Sequence, residues 1–119
     1  MIEQPLSGVK VIDLTWHISG PYCTKLLADY GADVIKVERP AKGDPTRTIG
    51  PFFKDDPNPE KSGPFLHLNT NKKGITLNLK SATGKKILKQ LAADADILVE
   101  SFRPHVMPSI GLDYRTLEK

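Results

Sequence analysis

Arg39, Lys72 and Lys73 are the side chains of this sequence best suited to holding phosphate. Arginine offers a planar two-pronged donor and lysine a point charge, and both match the oxygens of a nucleotide. A solvated surface is the other reading of the same cations. His17 has the chemistry of a general base, but nothing near it in sequence supplies an orienting partner. Shaping the backbone or touching a ligand is its expected role. Trp16 and Phe102 either stack on a base or pack in the core or at an interface. Glu38, about twenty residues after the first turn, has the place of the acid that holds a ribose hydroxyl in dinucleotide sites. The turn itself reads WHISGP, with one glycine where that fingerprint needs three, so an NAD-binding module is the weaker alternative. His67 and His105 show no metal-ligand spacing with each other or with Cys23, and no metal is assigned.

These residues need elements to position them. Residues 8 to 39 read as strand, tight turn, helix, strand. Val9, Val11, Ile12 and Leu14 form a short apolar run of the buried-strand kind. Ser19 or Gly20 caps a helix with Pro21 at its first position. Cys23, Leu26, Leu27 and Tyr30 follow at helical spacing and are expected to face the sheet, with Cys23 as a buried spacer. Gly31 stands where a helix ends in positive φ. Val34, Ile35 and Val37 make the second strand. So short a unit implies a parallel pair with a right-handed crossover. Ligands then bind beyond the carboxyl ends of the strands, where Thr15 to Ser19 and Glu38-Arg39 fall.

Residues 40 to 64 hold six of the ten prolines, which excludes regular helix or central strand. The expectation is an ordered flap pinned by Phe52-Phe53 and Phe65-Leu66. A third strand is predicted over 75–79, after a turn at Asn71 to Gly74. Ser81 caps a helix to Ala93, with Ile87, Leu88, Leu91 and Ala92 inward and Lys85, Lys86 and Lys89 solvated. Ile97 to Glu100 is a fourth strand, ending at Ser101-Phe102-Arg103-Pro104. Val106, Met107 and Ile110 suggest one helical turn. Asp113 caps a last helix over 114–119 that stops after about two turns, as in an incomplete piece of something larger. The fold class is α/β, a Rossmann-like parallel sheet with flanking helices.

The bulk composition narrows the partners. A charged fraction of 26% with 39% hydrophobic residues fits a soluble globular domain, and no apolar run is long enough to span a bilayer. Residues 1–7 show no secretory signal. A net charge of +3 is too mild to argue for nucleic acid. The single cysteine excludes an internal disulfide and fits a reducing, cytoplasmic setting.

The sequence resembles the N-terminal part of the family III CoA-transferases, the formyl-CoA transferase and carnitine CoA-transferase group that includes α-methylacyl-CoA racemase. The resemblance is carried by PLSGVKVIDLT at 5–15, GP at 20–21, LLADYGADVIKVERP at 26–40, GDPTR at 43–47, NKKGITLNLKS at 71–81, ADILVESFRP at 95–104 and IGLDY at 110–114. It implies that residues 1–119 are the CoA-binding portion of a large Rossmann-like domain, with 40–64 as a flap within it. It also implies acyl-CoA and carboxylic acid substrates, coenzyme A as the bound group, and two chains interlocked as a homodimer or a partner subunit. The family's nucleophilic aspartate lies downstream of these motifs, so no catalytic residue is assigned and the 119 residues alone are expected to be inactive and to fold poorly. The CoA positions carried across are Trp16, His17, Ile18 and Ser19, then Arg39, then Asn71, Lys72 and Lys73, then Ser101, Phe102 and Arg103, with Ser109 and Ile110 beyond. Ser101 replaces an asparagine of many members, and Ser109 an arginine of the formyl-CoA transferases. An acyl-CoA racemase and a non-catalytic CoA-binding module, truncated or split, are the alternatives within this reading.

Overall fold

The structure, a computed structural model, describes residues 3–118. Its centre is a sheet of four parallel strands: β1 (Lys10–Asp13), β2 (Asp33–Glu38), β3 (Lys73–Thr76) and β4 (Ile97–Val99). The helices are α1 (Ser19–Asp29), α2 (Gly63–Leu68), α3 (Ala82–Ala93), α4 (Val106–Ser109) and α5 (Tyr114–Leu117). Strand order is β3-β2-β1-β4. The second strand–helix–strand run therefore does not pair with itself. Its β4 crosses over to the free side of β1, so the sheet grows one way to β3 and then the other way to β4. The gap between β1 and β4 is the switch point of a doubly wound sheet, where such folds open a crevice.

Period-two alternation sends the strand side chains to two different faces. Ile12, Leu14 and Val37 join Leu88, Met107 and Leu112 in the larger core, under α3. Val11 and Val34 join Ala28 and Ala32 in a smaller one, under α1. On that α1 side the next inward positions along β1 and β2 are Asp13, Lys36 and Glu38, all buried. Asp13 and Lys36 are register partners. The apolar core therefore gives way to a charged one toward the carboxyl ends of the strands.

Helix α1 turns a different face inward from the expected one. Gly20, Pro21, Thr24 and Ala28 are buried. Cys23 is exposed, as are Leu26 and Tyr30, and Leu27 is half-buried. The reading of Cys23 as a buried spacer is thus corrected. The sheet on this side ends in polar groups, and the small face lets Thr24 reach Asp13, with Thr24 Oγ1 to Asp13 Oδ2 at 2.7 Å. The helix begins at Ser19 with no side-chain cap, and Pro21 takes its third position, still within the turn whose N–H groups have no helical partner. Gly31 does adopt φ 107°.

Strand β3 starts earlier than expected and stops at Thr76, opposite Glu38. Leu77 and Leu79 keep their inward alternation as a loop packed on the larger core. The 40–64 segment is ordered, with two short 3-10 turns at Pro45–Thr48 and Phe53–Asp55. Its last two residues open α2, a helix not foreseen. Ser62 caps that helix and Pro64 sits in its first turn, where no N–H is required. Phe53 is 63% exposed and Leu66 52%, so these two do not pin the flap. Asp44, Thr46 and Ser62 are buried instead, and Ser62 Oγ donates to the carbonyls of Thr46 and Ile49, both at 2.7 Å.

Candidate functional site

A cleft of about 640 Å³ opens at the carboxyl ends of the strands. Leu14, Val37, Leu77 and Leu79 give it an apolar floor, and Trp16 and Phe102 form a wall. The two rings meet edge to face, with centroids 5.2 Å apart and planes at 89°. The Arg39 guanidinium carbon lies 4.6 Å from the Trp16 ring centroid, over its face. Arg39 Nε donates to the Gly43 carbonyl at 2.9 Å. Its two terminal nitrogens have no hydrogen-bond partner among the described residues. Lys80 and His105 add polar groups to the lining. An apolar slot of this size, with a few convergent cations, suits a ligand with a flat ring and an anionic end. A larger hollow, about 730 Å³, runs beside the unpaired side of β4 and the α3–α5 region, remote from the aromatic wall.

The expected site residues divide into three groups. Trp16, Arg39 and Phe102 line the cleft together with Ser109 and Ile110. His17, Ile18 and Ser19 sit beside it on the exposed turn into α1, and exposed Ser101 and Arg103 flank Phe102. Asn71, Lys72 and Lys73 are elsewhere. Asn71 Nδ2 donates to Asp29 at 2.8 Å, and Lys73 pairs with Asp33 at 2.9 Å. Lys72 Nζ is buried beneath α1, bonded to Asp13 Oδ2 at 2.9 Å, the Pro21 carbonyl at 3.0 Å and Asn69 Oδ1 at 2.8 Å. The turn precedes β3, at the wrong end of a parallel strand to meet the cleft. All three are engaged with protein partners, and none of them lines the cleft. The residues that β3 does deliver to the cleft are Leu77, Asn78, Leu79 and Lys80, the first three of which the sequence reading kept within the strand. The rule that ligands meet carboxyl ends would have found them, had the strand been ended at its pairing partner.

Beside the cleft lies a buried ionic network. Lys36 Nζ donates to the Thr15 carbonyl at 3.0 Å and to Asp44 Oδ2 at 2.9 Å. Asp44 Oδ1 accepts from Thr46 N at 2.9 Å, Thr46 Oγ1 at 2.8 Å and His17 N at 3.3 Å. Glu38 receives Arg47 on both oxygens, at 2.8 and 2.7 Å, and Asp44 N at 2.7 Å. Arg47 also lies 3.7 Å over Phe65. With both oxygens so engaged, Glu38 is not poised for a ribose, which removes the structural basis of the dinucleotide alternative.

Burial pushes the carboxyls of Asp13, Glu38 and Asp44 upward, but their partners outweigh it and hold all three below the ordinary range. For Asp13 the partners are chiefly the charges of Lys36 and Lys72. For Glu38 they are the Arg47 hydrogen bonds, and for Asp44 those of Lys36. Groups with lowered folded-state values add stability that is complete above the unfolded values, 3.8 to 4.5, and disappears as pH falls through the folded ones. Melting temperature is therefore expected to hold steady from neutrality to about pH 5 and then drop. Thermal melts across that range check it, and a melting temperature still flat at pH 3 would contradict these shifts.

A parallel sheet wound both ways, with an aromatic and cationic slot at its switch point, defines a Rossmann-like α/β unit. No helix among the described residues is long and apolar enough to cross a membrane. The sequence model of CoA-transferase family III matches residues 6–119, and the chain belongs to that family. It is 46% identical over 116 residues to succinyl-CoA:glutarate CoA-transferase of Homo sapiens, covering 98% of this chain and 26% of that one. It is 44% identical over 118 residues to formyl-CoA:oxalate CoA-transferase of an Escherichia coli strain, covering 99% and 27%. Among solved structures, a CAIB/BAIF family protein from Brucella suis superposes with a TM-score of 0.87 at 36% identity, over 98% of this chain and 31% of that one. The chain spans about a quarter of the length of these curated relatives.

Proposed function

We propose that these residues form the CoA-binding portion of an enzyme that moves coenzyme A between carboxylic acids. The observation that carries this is the slot of Trp16, Phe102 and Arg39 at the switch point. The adenine ring lies against the aromatic wall, and Arg39 and Lys80 take the phosphates at the lip. Ser109 and Ile110 close the side, while His17 to Ser19, Ser101 and Arg103 border the entrance. The relatives named above transfer CoA between small carboxylic acids, and that supports the same substrate class here. The reaction is assigned to the cytoplasm, in keeping with a single unpaired cysteine.

The same cleft argues that its chemistry is completed by other residues. CoA transfer between acids needs a carboxylate nucleophile beside the thioester. Of the two glutamates at strand ends, Glu38 is bound by Arg47, and Glu100 accepts the Phe102 N–H at 2.9 Å. The nucleophile is assigned to a longer polypeptide or a second, interlocked chain. Residues 1–119 alone are expected to exchange no CoA between an acyl-CoA and an acceptor acid, followed by mass spectrometry. Exchange by this piece alone would show an overlooked nucleophile. A piece that binds CoA within a polypeptide that never exchanges it would favour the non-catalytic module instead.

Arg39→Ala tests the slot. Loss of hydrogen bonds to a charged group is expected to weaken CoA binding by about 1.5–3 kcal/mol. Calorimetric titration of the intact polypeptide measures this, and an unchanged dissociation constant takes Arg39 out of the site.

A further inference from the structure

Trp16 and Arg39 belong to two different loops, after β1 and after β2. Neither loop is regular structure, so something must hold the two side chains in register. The buried pair Lys36–Asp44 is placed to do so. Lys36 projects from β2 on the α1 side of the sheet, 2% exposed. Its ammonium takes the carbonyl of Thr15, the residue before Trp16, and the carboxylate of Asp44, the residue after Gly43. The other oxygen of Asp44 takes the N–H of His17, the residue after Trp16. His17 has φ 68°, a left-handed conformation that a side chain other than glycine adopts only when its surroundings require it. Gly43 in turn holds Arg39 Nε through its carbonyl. One ion pair thus grips the backbone on both sides of the stacking ring and the segment that aims the guanidinium.

We infer that Lys36 and Asp44 are positioning residues of the cleft: they couple the loop bearing Trp16 to the segment that orients Arg39, so that ring and guanidinium meet a nucleotide already arranged. Neither touches the ligand. This rests on the reading of the cleft as the CoA site. A pre-arranged slot binds with less ordering cost than one assembled on binding. A stability role alone would need only a filled, neutral space, whereas fixing two loops needs directional bonds to Thr15, His17 and Thr46.

Three kinds of variant separate the two roles in the intact polypeptide carrying 5-fluorotryptophan, with the Trp16 resonance assigned through Trp16→Phe. Lys36→Met and Asp44→Ala each cut the coupling. Lys36→Met with Asp44→Leu removes both charges together and leaves no buried ion unpaired. Val11→Ala lowers stability from the smaller core under α1, none of whose buried residues lines the cleft. CoA affinity is expected to fall about tenfold or more in both single variants and in the double variant. Their Trp16 fluorine resonance should shift or broaden before CoA is added. Val11→Ala should lose melting temperature yet keep both readouts. The double variant should recover melting temperature while staying weak. Recovery of CoA affinity together with stability in the double variant overturns the inference, as does unchanged affinity in a folded single variant. If the single variants do not fold, the double variant decides. If the parent protein binds no CoA, the reading of the cleft fails, and the ligand-free resonance still reports whether the pair positions Trp16.

Discussion

Asp13→Ala is expected to cost the fold about 3–5 kcal/mol, the range for removing one member of a buried ion pair. Asp13 is fully buried at the end of β1. Its carboxylate accepts from Thr15 N at 2.8 Å, from the Thr15 hydroxyl, from Thr24 Oγ1 at 2.7 Å and from Lys72 Nζ at 2.9 Å. Alanine would leave the Lys72 ammonium under α1 with only two neutral acceptors. The neighbouring charge of Lys36 would lose one favourable carboxylate and keep its pairing with Asp44 at 2.9 Å. Native stability is commonly only about 5–15 kcal/mol, so this single change takes a large part of it. Urea denaturation gives the answer as a fall in midpoint with the slope kept. A loss under about 1 kcal/mol would mean that water or a rearranged lysine satisfies the site. Lys72→Met should likewise appear as lost stability, while CoA affinity of the folded fraction stays unchanged. The opposite pattern would return Lys72 to the phosphates.

Gly84→Ala is expected to destabilise by about 3 kcal/mol, against the gain of about 1 kcal/mol that replacing a helical glycine ordinarily brings. Gly84 lies in the first turn of α3, where its N–H is capped by Ser81 Oγ at 3.0 Å. An added Cβ would stand 2.0 Å from the carbonyl oxygen of Asn78 and 2.7 Å from its carbonyl carbon. Both are backbone atoms and cannot rotate away, so the 77–80 loop or the helix has to move. That loop lines the cleft, and CoA affinity should fall together with stability. Paired thermal melts and CoA titrations test this. A stabilised protein with intact affinity would show that α3 can shift away from the loop at little cost.

What could be read from sequence alone follows the range of the interactions involved. The strand–helix–strand unit at 8–39, the Ser81 cap, the inward Leu88 and the positive φ of Gly31 depend on residues within a few positions of one another. Periodicity and turn chemistry report such neighbours directly. The family, too, was legible, because its motifs run in order along the chain. So was the gathering of Trp16, Arg39 and Phe102 at one edge, since strand ends in a parallel sheet fall there whichever strands pair. The rest depended on contacts between distant residues. Which face of α1 is buried was decided by the polar end of β1, and Cys23, Leu26 and Tyr30 lost to Thr24 and Ala28. Lys72 looked like a free cation on a turn, and only the folded chain brings it to Asp13, 59 residues away. Lys36 sits in a run that reads as an ordinary strand. Its burial and its grip on Asp44 and Thr15 emerge only when β2 becomes an interior strand and the segment after it folds back. A charge is costly to bury unless its partner arrives, and no local pattern records where that partner will be.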